Sequence, residues 1–271
     1  MPIIDVDGDK LHFFESGSGT PIIFVHGSCG GGRQWRALSD ELSKDYRCLS
    51  LDLFGSGASE TWPLERDWTP LEDERAIGAV LDLLGEPAHL IVHSGGGEFA
   101  YPTIKNRRED IISLTMFEPV YFHLLRQENN PLYAEPEGMA DQFHAAIDNN
   151  DLETAMTSFV DVWANRQGTW AGLPEAVKAM MKQGSNRLYH EWNNLKGDEP
   201  TQSELAQIDI PVLLFLGDKT IPSMHRVVEI IRHSIPNCRY FEIEGAGHLS
   251  PFTHPKVALP IIDGFLAELS A

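Results

Sequence analysis

The sequence predicts an α/β fold in which helices cover a mostly parallel β-sheet. Short apolar runs alternate with helical stretches along the chain, which is the pattern of such a sheet. At 271 residues the chain is long enough for one large domain with a sizeable core. Between Pro119 and Asp209 the alternation stops, and this stretch is rich in aromatic residues and methionine at helical spacing. An all-helical insertion is therefore expected there.

The individual elements follow from the apolar runs and the residues that flank them. A hairpin is expected to start near Leu11–Glu15 and to close at Gly17-Ser18-Gly19, and prolines 21 and 211 fit the first positions of strands. The predicted strands are Ile22–Val25, Arg47–Asp52, His89–His93, Ile111–Phe117, Val212–Leu216 and Arg239–Ile243. The predicted helices are Gln34–Ser43, Leu71–Leu84, Glu98–Arg108, Met224–Ser234 and Pro255–Leu269.

Ser94 lies at the most informative point of the chain. The run Leu90–His93 leads into Ser94, three glycines follow, and a helical stretch begins at Glu98. A strand–serine–helix turn this sharp strains the serine backbone, so its neighbours must be small. The turn presents the hydroxyl at the carboxyl end of a strand, beside the N–H groups of a helix start. We interpret Ser94 as a nucleophile; the alternative is a glycine-rich turn without chemistry.

Three further segments match the surroundings that such a serine needs. The run Tyr240–Ile243 leads into Glu244-Gly245-Ala246-Gly247-His248, and the run Ile22–Val25 leads into His26-Gly27-Ser28. Asp52 opens an Asp-x-x-Gly-x-Gly-x-Ser pattern that ends at Ser59. In order and spacing, these segments and the Ser94 turn resemble the α/β-hydrolase superfamily, from about Ile3 to Leu269.

The resemblance implies an α/β-hydrolase fold with a mostly parallel eight-stranded sheet. Residues 1–119 and 210–271 would form the core, and residues 120–209 a helical cap, or lid, that excludes water and supplies an apolar pocket. Most aromatic residues of the insertion are expected to pack the cap helices together. Trp35, Trp163 and Trp170 are the candidate pocket residues.

His248 is the expected general base, because a free serine hydroxyl is a weak nucleophile. By resemblance, the backbone N–H groups of Ser28 and Gly95 would form the oxyanion hole. His26, Asp52 and the glycines of its loop are assigned to the scaffold, and no histidine pair shows a metal spacing.

The acid that orients His248 is ambiguous. The family commonly places it in a Gly-x-x-Asp pattern, but here Gly217-Asp218-Lys219-Thr220 has threonine at that position. Glu118 directly follows Thr115–Phe117, where some haloalkane dehalogenases carry their acid, and Val92-His93 also resembles the residues before their nucleophile. We favour Glu118 over Asp218; a Ser94–His248 dyad without an acid is the third alternative.

The serine restricts the chemistry to acyl transfer. Dehalogenases and epoxide hydrolases need a carboxylate nucleophile, since a serine would form an alkyl ether that His248 could not hydrolyse. The expected function is hydrolysis of small-molecule carboxylic esters through an acyl-enzyme. The alternatives are a carbon–carbon bond hydrolase, lactonase or perhydrolase with the same triad, or a ligand-binding receptor. Basic pocket residues would favour the carbon–carbon route, and the candidates are Arg33, Arg36, Arg126 and Arg166.

Composition narrows the class of partners and the compartment. Forty acidic residues against 21 basic ones give a net charge of −19, which opposes binding to nucleic acid or anionic membranes and weakly favours neutral or cationic substrates. The three cysteines have no metal spacing and are expected to be free thiols in a reducing compartment. We find no secretory signal and no apolar run near the ~20 residues of a membrane span. A cytoplasmic, cofactor-free monomer or homodimer is expected.

Overall fold

A computed structural model of the protein describes residues 2–193 and 200–269. Within these residues, strands β1 to β8 form one sheet in the order β1-β2-β4-β3-β5-β6-β7-β8. The strands are Ile3–Val6, Asp9–Ser16, Pro21–Val25, Arg47–Asp52, Ala88–His93, Ile111–Phe117, Val212–Gly217 and Cys238–Ile243. The pairs β1–β2 and β2–β4 are antiparallel, and every other pair is parallel. The predicted fold class is confirmed.

Helices α1 to α13 connect and cover the strands. They are Arg36–Leu42, Pro70–Leu84, Gly95–Asn106, His123–Gln127, Ala134–Asp148, Leu152–Trp163, Thr169–Gly172, Glu175–Gln183, Ser185–Asn193, Gln202–Leu205, Pro222–Ser234, Ser250–Thr253 and Pro255–Leu269. The stretch predicted as one helix from Gln34 begins instead as a short 3-10 turn, Gly32–Trp35, before α1.

The core lies on both faces of the sheet, because successive side chains of a strand point to opposite faces. In β3, Ile22 and Phe24 pack in the cluster that holds α1 and α13. Ile23 and Val25 pack in the larger cluster that holds α2, α3 and α11. All four side chains are fully buried, as expected for a parallel strand covered on both sides.

The described residues between β6 and β7 form helices and turns only. Helices α4–α10, called here the inserted helices, include α5, α6 and α9, which pack on one another. Residues 194–199 of the expected cap, and residues 1, 270 and 271 of the expected core, lie outside the described residues. The division into a core and a cap at 119 and 210 stays a prediction.

Candidate active site

Ser94 occupies a strained turn between β5 and α3. Its φ and ψ are 55° and −129°, a conformation that L-residues rarely adopt. The Ser94 N–H donates to Phe117 O at 2.9 Å, and its carbonyl accepts from Gly97 and Val120. Helix α3 starts at Gly95, three residues earlier than predicted, so the glycines lie within its first turn.

Close packing explains two of these glycines. A Cβ at Gly96 would lie 2.7 Å from Val25 O, and one at Gly97 would lie 2.4 Å from Pro119 Cβ. Both contacts are too short for any side chain, so only glycine lets β3 and the chain after β6 approach the turn this closely.

Ser94, His248 and Glu118 form a continuous chain of hydrogen bonds. His248 Nε2 lies 2.8 Å from Ser94 Oγ, and His248 Nδ1 lies 2.8 Å from Glu118 Oε2. The three residues are separated by up to 154 positions in the sequence and are all buried. Nucleophile, base and carboxylate thus stand in the geometry of a catalytic triad.

Glu118 is held by more than its contact with His248. It is fully buried, it adopts a positive φ of 44°, and its N–H donates to Phe215 O. Its Oε1 accepts from the Gly217 N–H at 2.7 Å, and its Oε2 accepts from the Thr220 hydroxyl at 2.7 Å. Each oxygen therefore accepts at least one hydrogen bond, which fixes the carboxylate in one orientation.

Asp218, the other candidate acid, does not contact His248. Its Oδ1 accepts from the Gly245 N–H at 2.6 Å, and its Oδ2 lies 2.7 Å from Lys219 Nζ. The hydrogen bond with Lys219 lowers the pKa of Asp218. Asp218 thus ties two turns together, as expected of an aspartate beside a glycine. Of the two carboxylates, the structure brings only Glu118 to the imidazole.

The two expected oxyanion-hole residues face one another beside Ser94. A Cβ at Gly95 would lie 2.9 Å from Ser28 Oγ, and a Cβ at Gly27 would lie 2.7 Å from Ser94 Cβ. Gly95 is the first residue of α3, where backbone N–H groups have no acceptor within the helix. Both residues line the same chamber as the Ser94 side chain.

Two buried histidines near Ser94 have other partners. Burial lowers the pKa of His26 to about 4, and its Nε2 accepts from the Leu53 N–H at 3.1 Å. His93 donates from Nε2 to the carbonyl oxygen of His248 at 2.9 Å, and burial lowers its pKa well below the usual value. Both are therefore neutral groups that hold the loops around the triad.

Trp163 is the only one of the three candidate tryptophans that lines a cavity beside Ser94. Its ring stacks on the His248 imidazole with centroids 3.9 Å apart and an angle of 24° between the planes. Trp35 instead lies in the core against Phe24 and Phe117, and the Trp170 indole donates to Glu153. The expectation that Trp35 and Trp170 line the pocket is therefore wrong, since each ring is taken up by packing away from the cavity.

Two cavities meet at Ser94. The larger, of about 170 Å³, is also lined by His248 and by apolar side chains of the inserted helices, among them Val160, Leu173 and Met180. The smaller, of about 20 Å³, is lined by Ser28, Gly95 and several polar and aromatic side chains. Neither cavity is lined by a lysine or arginine of the described residues, so Arg33, Arg36, Arg126 and Arg166 all lie elsewhere.

The cysteines and possible metal ligands offer no second centre in the described part of the chain. Cys29 lines the larger cavity, but burial raises the pKa of its thiol, and all three cysteines are unpaired. Within residues 2–193 and 200–269, no cluster of three or more His, Cys, Asp or Glu side chains could hold a metal ion. None of the helices in these ranges combines the length and apolar character needed to cross a membrane.

The sequence profile of the Alpha/beta hydrolase family matches residues 22–259. The chain belongs to the alpha/beta hydrolase family. The matched region spans the expected serine, the glutamate after β6 and the histidine after β8, so the family covers the whole of the arrangement described above.

The curated relatives of this chain differ in the activities that their names give. The chain is 30% identical over 114 residues to a haloalkane dehalogenase of Agrobacterium fabrum, which covers 42% of this chain and 37% of that protein. It is 24% identical to a Mycobacterium tuberculosis protein provisionally named a non-heme bromoperoxidase, over 97% of this chain and 99% of that protein. The first curated relatives are matched over only 32% to 41% of their own length.

Solved structures show the same fold across the whole hydrolase chain. An esterase from Exiguobacterium antarcticum superposes with a TM-score of 0.80, covering 99% of this chain and 98% of that one at 17% identity. At this identity the likeness concerns the fold alone.

The sequence left two contributors to the site unrecognised. In the sequence, Thr220 stands out only because it replaces the family's acid. In the structure, its hydroxyl donates to the Glu118 carboxylate, which takes the place of that acid. Glu191 lines the smaller chamber, although no motif surrounds it. For Thr220, the available signal was its position: it occupies the place where the family's acid commonly follows the strand after the cap.

Proposed function

We propose that this protein is a serine hydrolase that cleaves carboxylic esters through an acyl-enzyme. The hydrogen-bonded chain Ser94–His248–Glu118 is the observation that carries the proposal. His248 Nε2 takes the Ser94 proton as the hydroxyl oxygen attacks the ester carbonyl. Glu118 accepts from Nδ1–H, which holds the imidazole in the required tautomer and stabilises the imidazolium.

The N–H groups of Gly95 and Ser28 receive the oxyanion of the tetrahedral intermediate. The first tetrahedral intermediate collapses when His248 returns the proton to the leaving alkoxide, which departs as the alcohol. His248 then takes a proton from water, whose oxygen attacks the acyl carbon. The second tetrahedral intermediate collapses when His248 gives this proton to Ser94 Oγ, which breaks the acyl–Ser94 bond and releases the acid and free Ser94. A single oxyanion-hole donor typically contributes about 3 kcal/mol to transition-state stabilisation, so these two backbone positions matter as much as the side chains.

The remaining features fit this reaction better than its alternatives. A dehalogenase reaction on Ser94 would end in an ether, which the triad cannot open, even though a dehalogenase is among the relatives. Carbon–carbon cleavage of acidic substrates loses its support, because no lysine or arginine of the described residues lines either cavity. We propose that residues 120–209 act as a cap, since inserted helices supply most of the apolar wall of the larger cavity.

Ester turnover by wild type and by Ser94→Ala tests the proposal. We expect wild type to hydrolyse 4-nitrophenyl acetate or butyrate with a pre-steady-state burst, and Ser94→Ala to lose both burst and turnover. Equal rates for the two proteins would refute ester hydrolysis at Ser94. A wild-type burst without multiple turnover would favour the receptor alternative.

A further inference from the structure

The smaller chamber beside Ser94 is narrow and has room for a small polar group beside the N–H groups of Ser28 and Gly95. Its volume is about 20 Å³. Ser94, Ser28 and Gly95 line it, but His248 does not; His248 lines the larger cavity. Because His248 must protonate the leaving group, the leaving alcohol belongs in the larger cavity. The acyl part of the ester then faces the chamber.

Glu191, on α9, is a buried carboxylate on the wall of this chamber. The residue is 6% exposed, and its Oε1 accepts from Arg187 Nε at 2.5 Å. Its Oε2 is buried and has no hydrogen-bond partner within residues 2–193 and 200–269. A buried acceptor without a donor is unfavourable, and more so when it is charged. The chamber therefore presents a site for a hydrogen-bond donor.

Among the described residues around Glu191, carboxylates outnumber guanidinium groups. Arg187 makes a buried bidentate pair with Asp73 at 3.0 and 2.8 Å, so one guanidinium serves two carboxylates. Burial raises the pKa of Asp73 to about 7, and the nearby charge of Glu191 acts in the same direction. Glu98, itself 7% exposed, is a further carboxylate on the chamber wall. Such a cluster is stabilised when a ligand brings a cation.

Aromatic rings form much of the remaining wall. Phe159, Trp163 and Trp192 line the chamber, and no lysine or arginine of the described residues does so. The faces of aromatic rings attract cations, most strongly where water is excluded. The buried carboxylates, the acceptor oxygen of Glu191 and the aromatic wall thus all favour a small cation that can donate hydrogen bonds.

We propose that this chamber binds a small ammonium group on the acyl part of the substrate, held by Glu191 Oε2. The substrates would be esters of short amino acids with apolar alcohols. This inference rests on the proposed ester hydrolysis, and it names the substrate class of the same site.

Two pairs of isosteric hexyl esters test the inference on the wild-type protein. Glycine is compared with propionate, and β-alanine with butyrate, so that each pair differs only in ammonium against methyl. The hexyl monoester of succinate supplies an anionic analogue, and rates with Ser94→Ala supply the background. In the better-fitting pair we expect kcat/KM for the ammonium ester to be on the order of ten- to a hundredfold higher, as for a charge-assisted hydrogen bond. The anionic ester should be the poorest substrate.

Glu191→Gln should reduce that ratio to near one, because the amide keeps an acceptor for Arg187 but loses the charge. The matched control is Glu175→Gln on α8, whose side chain is 87% exposed and which should leave the ratio as in wild type. Melting temperature and circular dichroism establish that both variants are folded. Should Glu191→Gln not fold, the binding comparison on Ser94→Ala decides, because it involves no turnover and therefore no difference in carbonyl reactivity between the ligands.

Calorimetry on Ser94→Ala tests the chamber without turnover. N-hexyl β-alaninamide should bind at least tenfold more tightly than N-hexyl butyramide, in line with the same hydrogen bond. If butyrate esters are hydrolysed at Ser94 and both measured preferences are at or below one, the ammonium site is refuted while ester hydrolysis stands. If Ser94→Ala equals wild type on every ester, the proposed function fails. The calorimetric preference then decides on the chamber alone: a preference for the ammonium ligand supports it, and equal binding refutes it.

Discussion

The Thr220 hydroxyl donates a 2.7 Å hydrogen bond to Glu118 Oε2, the same oxygen that faces His248 Nδ1. Thr220 follows β7, where the family commonly carries its acid, and Glu118 follows the neighbouring strand β6. The two positions thus lie at the same edge of the sheet, within reach of one imidazole. Here the carboxylate comes from one of them and a supporting donor from the other.

Glu118→Gln should lower kcat for ester hydrolysis by on the order of 10³- to 10⁴-fold, because an amide does not hold the imidazole in the required tautomer. Asp218→Asn should stay close to wild type, since Asp218 binds Gly245 and Lys219 instead. Steady-state kinetics with 4-nitrophenyl butyrate compares them. A larger loss in Asp218→Asn would move the acid to that residue.

Thr220→Val should lower kcat by roughly three- to tenfold, as expected when one of several hydrogen bonds to a charged group is lost. Glu118 keeps its bond from the Gly217 N–H, so the loss should be smaller than for Glu118→Gln. Thr220→Ser, which retains a hydroxyl, is the control and should recover most of the rate. Equal rates for the valine and serine variants would show that the hydroxyl does not support the acid.

Moving the carboxylate from position 118 to position 220 should restore part of the activity that Glu118→Gln loses. In the double variant Glu118→Gln/Thr220→Asp, an acid stands at the common family position, beside the same imidazole. We expect at least tenfold higher kcat than in Glu118→Gln alone, as part of the orienting effect of the carboxylate returns. No recovery in a folded double variant would mean that the backbone after β7 cannot present an acid to His248.

Trp163 covers the imidazole with its ring, so its removal should destabilise the imidazolium that forms during catalysis. A cation–π contact of about 0.5–2 kcal/mol corresponds to a loss of roughly two- to thirtyfold in kcat for Trp163→Leu. Trp163→Phe should keep most of the rate, and equal kcat values for the leucine and phenylalanine variants would contradict a role for the ring.

His89 should make the stability of the protein depend on pH. Burial lowers its pKa from 6.5 to about 4, and Nδ1 lies 2.7 Å from Ser113 Oγ. The unfolded chain takes up this proton below about pH 6.5 while the folded protein resists it down to about pH 4. Its contribution, present above pH 6.5, is therefore lost as the pH falls through this window, to an extent of at most about 3 kcal/mol.

Urea unfolding at pH 7 and pH 4.5 measures this effect. The free energy of unfolding should drop less in His89→Gln than in wild type, because glutamine does not titrate. His233→Gln on the exposed surface is the control and should behave like wild type. The same pH dependence in all three proteins would contradict a buried neutral His89.

Sequence was sufficient for features with a local signal. Apolar runs defined the inner strands to within a residue, and the choice of Glu118 came from its position directly after β6, where some haloalkane dehalogenases carry their acid. Glycines obscured the start of α3, since Gly96 and Gly97 are required by contacts with Val25 and Pro119 and not by a loop.

Features that depend on distant pairing had no such signal. Thr220 lies 102 positions from Glu118, and Arg187 lies 114 positions from Asp73, so neither pair forms a pattern in the sequence. The direction of the Trp35 side chain also depends on tertiary packing, because the 3-10 turn that carries it directs the ring into the core against Phe24.

Quenched-flow mass spectrometry tests the central claim most directly. Wild-type protein is mixed with 4-nitrophenyl butyrate, quenched with acid during the burst and digested for peptide mapping. We expect one butyryl group on the peptide that contains Ser94, and none in Ser94→Ala. Continuous release of butyrate without acylation of Ser94 at any time point, together with full turnover by Ser94→Ala, would contradict it.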